Sequence, residues 1–274
     1  MNAETRRACR GLAIAAIALA ASPLTFPETP MNPECCAVLE LRQYTLYPGK
    51  RDVLIELFDR EFVESQEALG MNIVGQFRDA DNPDRFVWMR GFRDMPARGA
   101  TLTAFYSGPV WQTHRNTANA TMIDAANVLL LRPISPNSGF AKDSAARAAV
   151  GTLTLPASRV MATIYTLSAP VDANFHQFFE TQVRPLLIAT GATPIAVFQT
   201  ETAENNFPRL PIRTGQHVLI WFSQFASAEQ IRAHEVRLGK SAAWNDIVQP
   251  TLRKYLKSPA EQLMLEPTAR SLLQ

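Results

Sequence analysis

The chain has 274 residues, 47% of them apolar, enough to bury one or two hydrophobic cores. Its 27 basic and 25 acidic residues leave a net charge of +2 with neither sign in long blocks, which removes any electrostatic case for nucleic acid or an anionic membrane surface. Cys9, Cys35 and Cys36 all precede the first patterned segment, so no disulfide scaffold can staple the body, and the adjacent Cys35–Cys36 pair lacks the further ligands of a structural zinc.

Residues 1–37 read as a signal peptide or an unstructured leader. Arg6, Arg7 and Arg10 precede an apolar run over 11–21, followed by Pro23, Pro27 and Pro30. That is the order of a secretory signal, with Ala18-Leu19-Ala20 at its small-residue site, and the run is too short to span a bilayer as a helix. The other reading starts translation at Met31. The first implies a periplasmic or secreted protein, the second a cytoplasmic one, and neither leaves an integral membrane segment in the mature chain.

From Val38 to Leu46 the residues alternate, with Leu39 and Leu41 on one face and Glu40, Arg42 and Tyr44 on the other, so a strand is predicted. After a turn at Pro48-Gly49, Leu54, Leu57, Phe58 and Phe62 recur at helical spacing up to Gly70, a fitting stop. Ile73–Arg78 and Arg85–Phe92 read as a hairpin around the turn formers of 79–84. A helical stretch over Asp94–Met122, broken near Gly108-Pro109, leads to a last strand at Val128–Arg132. The order is βαββαβ, the ferredoxin-like arrangement.

The same order then returns. One constant offset carries Tyr44 to Tyr165, Leu54 to Phe175, Phe58 to Phe179 and Gly70 to Gly191; a longer one carries Trp88 to Trp221, Phe92 to Phe225 and Trp111 to Trp244. The difference is an insertion in the second hairpin loop, Glu201–Gln216, where Pro208, Pro211 and Gly215 forbid regular structure. The expected organisation is a first domain over 38–133, a linker over 134–158 long enough to let the second domain dock freely, a second, diverged domain over 159–267, and a tail over 268–274. Two such sheets can close their open faces on each other, so the expected fold is α+β, tandem ferredoxin-like repeats forming a pseudo-dimeric α/β barrel.

The register predicts that Leu39, Leu41, Val87 and Met89 meet the helices. Glu40, Arg42, Tyr44, Phe86, Trp88, Arg90 and Phe92 would then face the enclosed space, opposite Met161, Thr163, Tyr165, Leu219, Trp221, Ser223 and Phe225 of the second copy. Buried charge is costly unless paired or used, so this cluster is the part of the chain most in need of an account.

The segments Val38–Val53, Gly75–Phe92 and Phe105–Trp111, above all Glu40-Leu41-Arg42-Gln43-Tyr44 and Asp84-Arg85-Phe86-Val87-Trp88, resemble the NIPSNAP family. The resemblance covers essentially all of the first repeat and is weaker in the second. It implies the dimeric α/β-barrel fold but names no reaction; proteins sharing that barrel include small monooxygenases, haem-degrading enzymes and isomerases, a likeness of fold alone.

The candidate ligand-binding residues are Arg42, Tyr44, Trp88, Arg90, Tyr165 and Trp221, with Glu40 and His114 as candidate catalytic groups. Arg42 or Arg90 would hold an anionic group, Glu40 or His114 would move protons, and the aromatic rings would wall the site. The alternative for the charged cluster is a salt-bridge network that holds structure. His234-Glu235 opens like a His-Glu-x-x-His zinc motif, but Leu238 stands at the second histidine, so no metal is expected. No cofactor is expected, with haem as the option an absorption spectrum would test. The expected function is binding of a small apolar or anionic molecule in the barrel interior, with cofactor-free oxygenation or isomerisation as its chemistry; homo-oligomers are compatible with this. The alternative is a binding or scaffold protein that offers its outer helices to a partner.

Overall fold

In the computed structural model, which describes residues 35–142 and 146–274, the alternating segments form strands within a residue or two of the expected bounds. The first module runs β1 (Val38–Leu46), α1 (Arg51–Leu57), a π-helical turn (Phe58–Phe62), α2 (Val63–Glu67), β2 (Asn72–Asp79), β3 (Arg85–Phe92), α3 (Met95–Ser107), α4 (Pro109–Asn119), a short β4 (Met122–Asp124) and β5 (Val128–Pro133). The second runs β6 (Arg159–Leu167), α5 (Ala173–Phe178), a π-helical turn (Phe179–Val183), α6 (Arg184–Thr190), β7 (Pro194–Thr200), β8 (His217–Phe225), α7 (Ala228–Gly239), a third π-helical segment (Ala243–Val248), α8 (Gln249–Tyr255) and β9 (Glu261–Pro267).

Local chemistry sets several ends. Asp94 and Asp172 cap α3 and α5 by accepting the N–H of Ala97 and of Phe175, each at 2.7 Å. Gly191 ends α6 at φ +97°, a conformation that favours glycine.

Within each module the sheet order is second, third, first, fourth strand: β2-β3-β1-β5 and β7-β8-β6-β9. The modules join edge to edge. Leu131 to Pro133 pair with Phe198 to Thr200 on one side, and Phe77 to Asp79 with Leu265 to Pro267 on the other. All these pairings are antiparallel, and they close the eight long strands into a barrel, with the short β4 added only at the end of β1.

The barrel interior is packed by both modules with Leu39, Leu41, Val87, Met89, Leu129 and Leu131 from one and Val160, Ala162, Ile164, Ile220, Phe222 and Leu263 from the other. This reverses the expected facing. Leu39, Leu41, Val87 and Met89 point inward, whereas Tyr44, Phe86, Trp88 and Phe92 pack with Phe58, Phe62 and Phe105 under the first module's helices. Met161, Tyr165, Leu219, Trp221 and Phe225 do the same under the second module's. Period-2 alternation says which residues share a face, not which face is which, and in a closed barrel both faces are buried.

The connections are also more engaged than expected. Phe140, in the segment read as a free linker, packs its ring 5.3 and 5.0 Å from Phe198 and Phe222 in the barrel core. Arg147 donates to Glu67 Oε1 and Ile73 O. The segment read as a tail clasps the first module: Thr268 N–H donates to Gln76 O, Leu273 N–H to Val74 O, and Arg270 pairs with Glu64. Cys35 and Cys36 are bonded to each other, with Cys36 Sγ against Gly91 of β3. Cys9 and the signal-like segment lie outside the described residues.

Candidate functional site

The helix-facing side of each sheet forms its own compartment, and the two compartments differ. In the first, Glu40, Arg42 and Arg90 come together as expected, joined by Arg98 of α3, and none of the four is solvent-exposed. Glu40 Oε2 accepts from Arg42 Nη1 and from Arg90 Nε, both at 2.7 Å, while Oε1 lies 2.7 Å from Arg98 Nε and Nη2. Arg42 Nε donates to Tyr44 Oη at 2.9 Å, and Arg90 Nη1 to Gln66 Oε1 at 3.0 Å.

Three guanidinium groups against one carboxylate is an excess of buried positive charge. Aromatic faces temper it: the Arg42 guanidinium carbon lies 5.4 and 5.6 Å from the Tyr44 and Trp88 ring centres, and that of Arg90 lies 5.1 and 5.9 Å from those of Trp88 and Tyr106. Burial works to raise the Glu40 carboxyl's pKa, but Arg90, Arg42 and Arg98 outweigh it and hold the group well below the usual carboxylate range. Little open space remains: a cavity of about 30 Å3 lies among Tyr44, Phe58, Gln66, Trp88, Tyr106 and Trp111. His114 stands apart on α4, half-buried, with Nε2 3.4 Å from Glu61 Oε2. The structure therefore does not bring it to Glu40.

The equivalent strand and helix positions of the second module carry Met161, Thr163, Ser223 and Ile231. Without the guanidinium groups the compartment stays open, as a cavity of about 560 Å3. Tyr165, Trp221 and Trp244 supply aromatic wall; Thr163, His234 and Gln262 supply polar groups. Arg253 and Lys257 also line it and are exposed, so the mouth is basic. Thr163 Oγ1 is buried without a hydrogen-bond partner, an expensive arrangement for a dry site, and the buried Trp221 indole N–H has only a weak contact with the Tyr165 hydroxyl.

His234 is buried, with Nδ1 3.3 Å from Thr190 O. A carbonyl only accepts, so Nδ1 carries the hydrogen and Nε2 keeps its lone pair. Burial lowers the imidazole pKa; the Thr190 contact opposes this and Arg237 adds to it, so the ring is neutral near pH 7. Burial also pushes the Tyr165 phenol up to about 12, tempered by the Trp221 indole beside it.

Tyr165 and Trp221 are thus brought together, in a compartment separate from that of Tyr44 and Trp88. Reading the sequence did not single out Arg98, took Trp244 only as a landmark of the repeat, and set His234 aside as an incomplete zinc motif. Two of them left a signal. Arg98 occupies the position of the apolar Ile231 in the second copy, and His234 lies at helical spacing between Ile231 and Leu238, on the buried stripe of α7. Among the described residues no group of acidic, histidine or cysteine side chains could hold a metal, and no helix is long and apolar enough to cross a membrane.

Residues 39–136 match the family model of NIPSNAP. Among solved structures the chain is similar to a proposed monooxygenase of Fusobacterium nucleatum, at 8% identity over 84% of this chain and 92% of that one, TM-score 0.49. It is similar to a NIPSNAP family protein of Agrobacterium tumefaciens at 22% identity over 36% and 96%, TM-score 0.33. An anthrone oxidase-like protein matches at 12% identity over 84% and 91%, TM-score 0.46. Comparison with curated proteins returns no match.

Proposed function

The chain carries a NIPSNAP domain in its first module, and we propose that its chemistry resides in the second: a site for a planar, largely apolar small molecule bearing a hydroxyl or carbonyl group, with His234 Nε2 as proton acceptor. The observation that carries this reading is that Thr163, Trp221 and the neutral His234 all line one aromatic-walled cavity, with the Thr163 hydroxyl buried and unpartnered. Such a site pairs apolar walls with a few directed polar groups. A ligand oxygen would accept from the Trp221 indole and the Thr163 hydroxyl, while the imidazole draws a proton from the adjacent carbon or hydroxyl. The anion so formed is stabilised by those two donors and by the basic mouth. It then either takes the proton back from the imidazolium at another carbon, an isomerisation, or adds dioxygen at the deprotonated carbon, where the new C–O bond gives a peroxide that takes up the same proton.

The alternative, a scaffold using its outer helices, has less support. Ile188, Val236 and Ile247, the exposed large apolar side chains on the second module's helices, lie one each on three separate helical segments. Titration calorimetry with 2-naphthol and naphthalene tests the reading. The hydroxyl should give about tenfold tighter binding, the worth of one to two hydrogen bonds. Thr163→Val should erase the preference, and Trp221→Ala should abolish binding. If neither probe binds and a broad thermal-shift screen finds no stabilising compound, the reading fails.

A further inference from the structure

The first module's charged cluster is completed by neutral groups from the other module. Arg98 Nη1 donates to the side-chain carbonyls of Asn205 and Asn206 at 3.0 and 2.8 Å. Arg90 Nη2 is buried with no acceptor at all. Asn205 and Asn206 belong to the loop Glu201–Gln216, longer than its counterpart in the first hairpin, which crosses to cover the first module. There Phe207 stacks on Tyr106, ring centres 5.6 Å apart and planes 27° apart, and Asn206 Nδ2 donates to Met95 O.

A cleft of about 210 Å3 opens beside that contact, with Arg115 and Arg209 exposed at its rim. Tyr106 and Trp111 line both this cleft and the inner cavity of about 30 Å3 beside Trp88. The stacked pair Tyr106 and Phe207 thus stands between a basic mouth and a cation-rich interior.

We propose that the first module is a second, loop-gated binding site, selective for a small aromatic carboxylate. The carboxylate would replace the Asn205 and Asn206 carbonyls on Arg98 and take the unused Arg90 Nη2, while the ligand ring would replace Phe207 against Tyr106. The exchange swaps neutral acceptors for a charged one. The asparagine bonds already have a charged donor; a carboxylate adds a charged acceptor and can be held by two N–H groups at once, and its negative charge offsets part of the buried positive excess. This site is independent of the second module's cavity and uses none of its residues.

The full-length chain tests it, with benzoate as probe and benzamide as its neutral analogue at constant ionic strength. Phe207→Ala removes the plug and should bind benzoate at least tenfold more tightly than the wild type, without binding benzamide. Adding Arg98→Gln should lose that gain. Should that double variant fail to fold, Asn206→Asp, which supplies a negative charge from the loop itself and gives up the Nδ2 bond to Met95 O, should remove the benzoate response in the Phe207→Ala background. The proposal is overturned if folded Phe207→Ala gains no benzoate affinity, if benzamide binds as well, if binding ignores Arg98→Gln, or if Asn206→Asp leaves the benzoate response intact.

Discussion

Glu40→Gln removes the lone anion of the first module's buried cluster while keeping its shape. Each guanidinium contact at 2.7 Å places charge centres about 4 Å apart, worth roughly 4 kcal/mol at an effective dielectric near 20. Three such contacts give a gross attraction of about 12 kcal/mol, from which several kcal/mol of carboxylate desolvation must be taken. Loss of one partner of a buried pair costs about 3–5 kcal/mol, and here three cations lose theirs together, so about 5 kcal/mol is expected. At about 2–4 °C per kcal/mol for a chain of this size, the melting temperature should fall by about 10–20 °C in calorimetry. The Glu40 pKa is depressed in the folded state, so its contribution is present above the unfolded carboxyl value near 4 and fades only as pH falls below it. The gap between wild type and variant should therefore hold from pH 5 to 8. A second variant copies the other module: Glu40→Met, Arg42→Thr, Arg90→Ser and Arg98→Ile together. Removing all the charges at once leaves no orphaned cation, so this fourfold change should melt above the single one. A loss below about 1 kcal/mol for Glu40→Gln, or a fourfold variant that melts lower, would refute the reasoning.

Other consequences follow from single positions. Gln43 shares the barrel-facing register of Leu39 and Leu41, is 1% exposed, and has neither amide atom hydrogen-bonded; its counterpart is Ile164. Gln43→Leu should stabilise by about 1–3 kcal/mol in urea titrations, the cost of the unmet amide. The Tyr165 phenol pKa is raised to about 12, so its neutral form is favoured by folding; that stability is full below pH 10 and is lost as pH rises through 12. Between those limits the wild type should lose about 2–3 kcal/mol more than Tyr165→Phe, measured by alkaline unfolding. At Gly91 an added Cβ would lie 2.2 Å from Cys36 Sγ and 2.5 Å from its Cβ. Gly91→Ala should destabilise by about 1–3 kcal/mol or displace residues 35–37, visible as faster amide exchange there.

The elements of both modules were legible because strands of period 2 and helices of period 3.6 leave separate traces, and because the copies repeat each other's landmarks. The π-helical turns were not, since Phe58–Phe62 and Phe179–Val183 keep an apolar stripe that reads as ordinary helix. The grouping of Glu40, Arg42, Tyr44, Trp88 and Arg90 was also readable from register. Which way that face points was not, because leucine and tryptophan are equally buried on either side of a closed barrel. Asn205 and Asn206 left no trace of their partner. A loop dense in turn formers says that it bends, not what it lands on.

The copies themselves contain the information that resolves the facing. A shared interior must be packed jointly, so residues lining it have to be compatible across the two modules: Leu39, Leu41, Val87 and Met89 find Val160, Ala162, Ile220 and Phe222, all apolar. The other face is roofed separately in each module by its own helices, so its chemistry is free to diverge. Glu40 and Arg42 against Met161 and Thr163 is such a divergence, and it belongs in compartments that never meet. Duplication within one chain therefore permits what two identical chains cannot: one sheet-helix compartment filled with a charge network and sealed by its neighbour's loop, the other left open around Thr163, Trp221 and His234. An asymmetry between copies is then a guide to where function sits, because the face that stays alike is the one the fold requires.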